Sequence, residues 1–336
     1  LSLNHRGLAA MHDASDPENK RSSGRTALLL GTIVCLVILL VVIRRWGAAA
    51  PDAAPHAGPR FQLIDALVLG IVEGITEYLP VSSTGHLLLT AHVLGLTGSE
   101  SAKEAADAYA VIIQLGAILA VLGLYWRRSK QMALGLLGRD PAGLRLVTML
   151  LTAFLPAALV GLAFEKAIKH YLFGPWPIVV GWLVGGVVIL FVPRRWGADG
   201  TAKLRSIEQL DWHHALIVGL FQVTAMWPGV SRSLATILGG LIAGLSLPAA
   251  VEFSFLLGLI TLCAATGFEL VKEGTQVASA YGVILPLFGI ASSFVAAWVS
   301  VKWLVGYLQR HGLVMFGYYR IALALVTAWL LWQGIL

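Results

Sequence analysis

Two short stretches hold residues whose types and spacing could do chemistry. Residues 70–87 read GIVEGITEYLPVSSTGHL and residues 221–237 read FQVTAMWPGVSRSLATI. In the first, Glu73 and Glu77 are four apart, so on a helix they share one face. Pro80 breaks that helix. Ser82, Ser83 and Thr84 follow at positions suited to capping a new one, with His86 just inside it. In the second, Pro228-Gly229 makes the break, and Ser231, Arg232 and Ser233 open the next half-helix. Arg232 suits a bidentate clamp on phosphate, to which Ser231, Ser233 and Thr236 add hydroxyls. A helix start with free N–H groups is itself an anion site. Two carboxylates cannot bind an anion alone, but they can hold Mg²⁺ or Ca²⁺ that bridges to phosphate oxygens. Singly, each residue has a plainer role. Ser and Thr in membrane helices bond their own backbone, a lone Arg snorkels, and an acidic pair also serves a proton or cation pathway. The combination is more specific than any member.

The elements that must position these residues are membrane helices. The chain of 336 residues is 57% hydrophobic and 12% charged, with mean hydropathy +0.79. Soluble domains run at about a quarter charged, so a water-soluble enzyme and a disordered chain are excluded. Long unbroken apolar runs also exclude a membrane β-barrel, whose strands alternate. The net charge of +6 comes from Lys and Arg between apolar runs, as cytoplasmic loops require, and not from a nucleic-acid surface. Cys35 and Cys263 both lie inside apolar runs and imply no disulfide framework.

The expected fold class is an all-α polytopic membrane protein with six core spans, at about 107–126, 145–165, 175–192, 249–271, 281–304 and 314–335. Residues 1–25 read as a disordered cytoplasmic tail, 26–46 as an extra N-terminal transmembrane helix, 47–59 as a Pro/Ala linker and 60–336 as the membrane-embedded domain. Arg44 and Arg45 separate the first apolar run from Ala48-Ala49-Ala50, which favours an uncleaved anchor over a signal peptide. The stretches 62–95 and 213–246 are apolar but broken at the two motifs. Shifted by 149 residues, Ala66-Leu67 falls on Ala215-Leu216, Gly70 on Gly219, Glu73 on Gln222 and Ser82 on Ser231, the trace of a duplicated membrane half. Gln222 thereby joins the candidate phosphate-binding residues. The basic loops 127–145 and 193–212 should be cytoplasmic. Counting spans from them makes both broken stretches re-entrant hairpins, entering from opposite faces, with tips that meet at a polar cavity.

With these residues in place, the sequence resembles the undecaprenyl-diphosphatase family of bacteria, also called the bacitracin-resistance family. The resemblance rests on EGITEYLPVSSTGHL at 73–87 and PGVSRS at 228–233, supported by IIQLGAILAV at 112–121, FSFLLG at 253–258 and YRIALA at 319–324. It implies hydrolysis of undecaprenyl diphosphate to the monophosphate at the outer face of the plasma membrane, recycling the lipid carrier of peptidoglycan synthesis. It also implies six spans with two inverted re-entrant hairpins. By position, Glu73 and Glu77 match the family's acidic, metal-dependent motif, Ser82, Ser83, Thr84 and His86 its hydroxyl-histidine motif, and Ser231, Arg232 and Ser233 its second phosphate-binding motif. Leu234 stands where the family has Gly, and Thr261 lies where it has Pro. The expected partners are the membrane and a polyprenyl diphosphate lipid, with a homodimer left open and no nucleic acid. For the nucleophile, Ser82, His86 and an activated water stay open. A polyprenyl-phosphate flippase and a paralogue that binds lipid without turnover are the competing functions.

Overall fold

The computed structural model describes residues 61–192 and 204–336. The expected tail, extra helix and linker at 1–59 lie outside the described residues, as do Arg194, Arg195 and Lys203. Among the described residues there are eleven α-helices and one 3₁₀ turn at Ile207–Gln209. The helices are α1 (Leu63–Thr76), α2 (Ser83–Val93), α3 (Glu100–Leu124), α4 (Trp126–Leu136), α5 (Pro141–Leu172), α6 (Pro175–Leu190), α7 (Trp212–Thr224), α8 (Arg232–Ile242), α9 (Leu247–Tyr281), α10 (Ile284–His311) and α11 (Val314–Trp332).

Local sequence sets several of these starts. Asp140 accepts the Gly143 N–H at 2.9 Å ahead of Pro141, and Asp211 accepts the His214 N–H at 3.1 Å. Both are side-chain caps on otherwise unbonded amides. Five helices, α3, α5, α9, α10 and α11, are long and apolar enough to cross a membrane. The sixth expected span, α6, is apolar but has 16 residues. At ~1.5 Å per residue that is about 24 Å, short of the ~30 Å hydrocarbon core. Leu159, Leu162, Val188, Leu287, Val295 and Leu325 point outward from the long helices and α6, giving the bundle the apolar exterior that lipid requires.

The repeat read from the sequence is present in the packing. Ser83 and Arg232, which open α2 and α8, are 149 residues apart. α1 packs against α10 as α7 packs against α5, and α3 packs against α9. A Cβ on Gly70 would run into Gly289 and Ser292 of α10, and one on Gly219 into Ala153 and Pro156 of α5. Equivalent glycines therefore close equivalent seams.

The 127–145 segment, expected as a loop, is instead α4 and the start of α5. These helices pack so closely that a Cβ on Gly135 or Gly143 would strike the other's backbone. Glu252, in the first turns of α9, forms an ion pair with Arg128 at 2.7 Å. Arg128 also reaches Glu208 at 2.5 Å, tying α4 to the second half.

Candidate active site

Each broken stretch is a helix, a short turn and a second helix. In the first, α1 runs out at Thr76 and α2 starts at Ser83; in the second, α7 ends at Thr224 and α8 starts at Arg232. Among the described residues only two non-glycines have positive φ. They are Ser82 (φ 72°) and Ser231 (φ 78°), the residues just before α2 and α8. A side chain in this region costs ~1–3 kcal/mol, and such strain collects at functional sites. The same strain at equivalent places in both halves shows that the duplicated tips share one backbone path.

The tips touch. The Gly229 N–H donates to Ser82 Oγ at 3.2 Å, and Ser233 Oγ donates to the Leu79 carbonyl at 2.9 Å. Arg232 Nη2 donates to Glu77 Oε1 at 2.9 Å, and Ser83 Oγ donates to Glu77 Oε2 at 2.5 Å. One buried carboxylate thus joins a hydroxyl of the first tip to the guanidinium of the second. Arg232 is held further by the Ser254 carbonyl at 3.2 Å and lies over the Tyr78 ring, 5.4 Å from its centroid. Gly258 leaves room for it, since a Cβ there would come within 2.5 Å of Nη1.

Capping differs between the tips. Ser231 Oγ accepts the Leu234 N–H at 3.3 Å and sits 3.0 Å from Ser233 Oγ. Ser82, expected to cap α2, makes no side-chain cap bond, because its hydroxyl accepts from the opposite tip. The first turn of α2 therefore keeps amides without a side-chain partner, which is what an anion needs from a helix start.

The remaining expected residues divide. Glu73 is fully buried, and neither carboxylate oxygen has a hydrogen-bond partner. Gln222, its repeat equivalent, is also buried. Its Oε1 accepts from Thr261 at 3.3 Å and its Nε2 has no partner. His86 Nδ1 donates to the Ser82 carbonyl at 2.7 Å, leaving Nε2 to accept from the Tyr319 hydroxyl at 2.8 Å. Thr236 Oγ1 lies 2.6 Å from Ser254 Oγ and 2.9 Å from the Arg232 carbonyl, so it braces α8 against α9. Thr84 is half-buried and takes no part in these bonds. Leu234 is buried in the apolar core behind the second tip.

Several residues here were not singled out from the sequence. Trp182 donates to the Val81 carbonyl at 3.0 Å, and its ring meets His86 edge-on. Tyr319 stacks parallel to His86. Arg320 is fully buried between the tips. It could have been found, because an arginine inside an apolar span marks a functional site.

Two broken helix pairs, equivalent in the repeat, thus meet at a buried acid, a guanidinium and hydroxyls. The chain belongs to the bacitracin resistance protein BacA family, whose model matches residues 66–326. Relatives named undecaprenyl-diphosphatase include one from Sorangium cellulosum, 46% identical over 79% of this chain and 85% of its own. Undecaprenyl-diphosphatase 2 of Rhodospirillum rubrum is 44% identical over 81% of this chain and 96% of its own. The undecaprenyl-diphosphatase of Methylococcus capsulatus is 43% identical over 79% of this chain and 93% of its own.

Proposed function

We propose that this chain hydrolyses undecaprenyl diphosphate to undecaprenyl phosphate and inorganic phosphate. The observation that carries the reading is the Glu77 carboxylate bound at once to Ser83 and Arg232. It puts a hydroxyl, a base and an anion clamp within one buried site. The relatives named for hydrolysis agree with this and do not favour a flippase.

In this reading Arg232 and the uncapped amides of α2 hold the terminal phosphoryl oxygens. Ser83 is the nucleophile, because a carboxylate within hydrogen-bond reach is what a serine hydroxyl needs. Its Oγ forms a bond to the terminal phosphorus, and its proton passes to Glu77. The bridging P–O bond breaks and the polyprenyl monophosphate leaves. Water then cleaves the phosphoserine, releasing inorganic phosphate and restoring Ser83. Ser82 and His86 fit the nucleophile's part less well. The Ser82 hydroxyl is turned to the second tip, and both His86 ring nitrogens are engaged. His86 serves instead to fix the turn at Ser82 against α11.

The Glu73 carboxylate fits a divalent cation, Mg²⁺ or Ca²⁺, since two buried oxygens without partners suit a hard cation. Glu73 would hold it with help from Glu77; among the described residues no third acidic, His or Cys ligand joins them. Such an ion supplies charge neutralisation of the diphosphate. Ser231, Ser233 and Thr236 build the second tip, and Gln222 offers its unpartnered amide to the same region.

The same reading makes both tips parts of re-entrant hairpins in the bacterial plasma membrane, with the site open to the outer face. The basic residues at 127–145 support a cytoplasmic placement of α4 and the start of α5. Trapping a phosphoenzyme with labelled substrate tests the mechanism: label on Ser83 is expected, and label on another residue or on none would replace the nucleophile.

A further inference from the structure

Arg320 sits inside α11 with no exposed surface, and among the described residues it has no ion-pair partner. Its guanidinium is spent on backbone carbonyls. Nη1 donates to Pro80 at 3.1 Å, Nη2 to Gly229 at 2.6 Å and to Gly181 at 2.9 Å, and Nε faces Trp182 at 3.4 Å. Pro80 and Gly229 are 149 residues apart. They are the same position of the two repeats, and each lies two residues before a serine with positive φ. One rigid fork therefore holds equivalent carbonyls of both tips.

We propose that Arg320 is a positioning residue for hydrolysis. It locks the two tips together and holds Ser82 and Ser231 in their strained conformations, so that Ser83 and Arg232 stay aimed at one phosphoryl group. The inference rests on the hydrolytic reading above. The physical grounds are three. A planar guanidinium can span two carbonyls at once, whereas an ammonium is a point donor. A buried charge without a carboxylate is costly, and here it is tolerated because carbonyl oxygens surround it. Strained backbone persists only where its surroundings over-determine it, and Arg320 makes a direct bond to each turn. Gly185 of α6 completes the arrangement, since a Cβ there would run into the Arg320 guanidinium.

The test uses the full chain in detergent, with Arg320→Lys, Gly185→Ala and the double variant beside wild type. Arg320→Lys keeps the charge and loses the fork. It is expected to lower kcat by at least about tenfold, with KM within about threefold. Amide hydrogen exchange should quicken at 81–83 and 230–232 together, with the long helices unchanged. Gly185→Ala, the milder variant should Arg320→Lys fail to fold, displaces the guanidinium and should give the same pattern. The double variant should be no worse than Arg320→Lys alone, because Nη2, the atom nearest the new Cβ, is gone and an unforked lysine end can swing aside. Near wild-type kcat for Arg320→Lys, unchanged exchange at either tip, or fully additive losses would overturn the proposal. A wild type that releases no phosphate would remove the hydrolytic reading, and the exchange measurement would still decide whether Arg320 locks the tips.

Discussion

Glu77→Gln is the perturbation whose size follows most directly from the structure. The glutamate accepts Ser83 Oγ at 2.5 Å and Arg232 Nη2 at 2.9 Å. Its side chain is 5% exposed and that of Arg232 11%, so water screens the pair little. Glutamine keeps the volume and one carbonyl acceptor but removes the charge and the base. Breaking a buried pair by neutralising one partner costs ~3–5 kcal/mol. Arg232 keeps the Ser254 carbonyl and the Tyr78 ring, so much of that cost should fall on the reaction and not on folding. Since ~1.4 kcal/mol is a factor of ten, kcat should fall by roughly two to three and a half orders of magnitude. The assay is phosphate release from undecaprenyl diphosphate at saturating lipid, with a thermal melt beside it. Glu77→Gln and Arg232→Met should also be far less than additive, because they break one interaction. Activity within tenfold of wild type, or additive losses, would refute the assignment of this pair.

Four further outcomes follow. Gly258→Ala should push the Arg232 guanidinium from its seat and cut kcat by about tenfold or more, read as phosphate release. Gly74→Val should leave the chemistry intact but lower the melting midpoint, since a Cβ there meets Ala296 and Ala297 of α10 at 2.8 Å, and overpacking costs ~1–3 kcal/mol. Ser231→Ala loses the N-cap on Leu234 and the contact to Ser233 while keeping the positive φ. It should destabilise by ~1 kcal/mol, and more than Ser231→Gly, which relaxes the strain. His92→Ala, at the far end of α2 from the tip, should stay within about twofold of wild-type activity.

Much of the candidate site is legible in the sequence because polar residues are conspicuous inside apolar runs. Glu73, Glu77 and Arg232 stand out inside apolar runs, and the offset of 149 already paired Ser82 with Ser231 and Glu73 with Gln222. What could not be read was which hydroxyl meets which carboxylate. Of three consecutive hydroxyls the sequence favours Ser82 as nucleophile and leaves Ser83 and Thr84 to phosphate binding, with no sign of which one faces the carboxylate. Only the three-dimensional path turns Ser82 toward Gly229 and Ser83 toward Glu77, and leaves Thr84 half-buried outside these bonds. Helix lengths were also under-read. α5 and α9 run past their apolar windows to Leu172 and Tyr281, because amphipathic ends continue a helix that hydropathy alone would stop. The α4 helix was missed because its basic residues signal a loop, while its pairing with α5 depends on Gly135 and Gly143, which form no local pattern. The role of Arg320 is not legible in the sequence because the carbonyls it joins, at Pro80 and Gly229, are far from it in sequence and carry no side-chain pattern.

The most direct test of the account is phosphate release from undecaprenyl diphosphate by the purified chain, with and without a chelator. The account predicts release by the wild type that stops on chelation, returns with Mg²⁺ or Ca²⁺, and is absent from Glu73→Gln at any metal concentration. A well-folded wild type that releases no phosphate, or release untouched by both the chelator and Glu73→Gln, would contradict it.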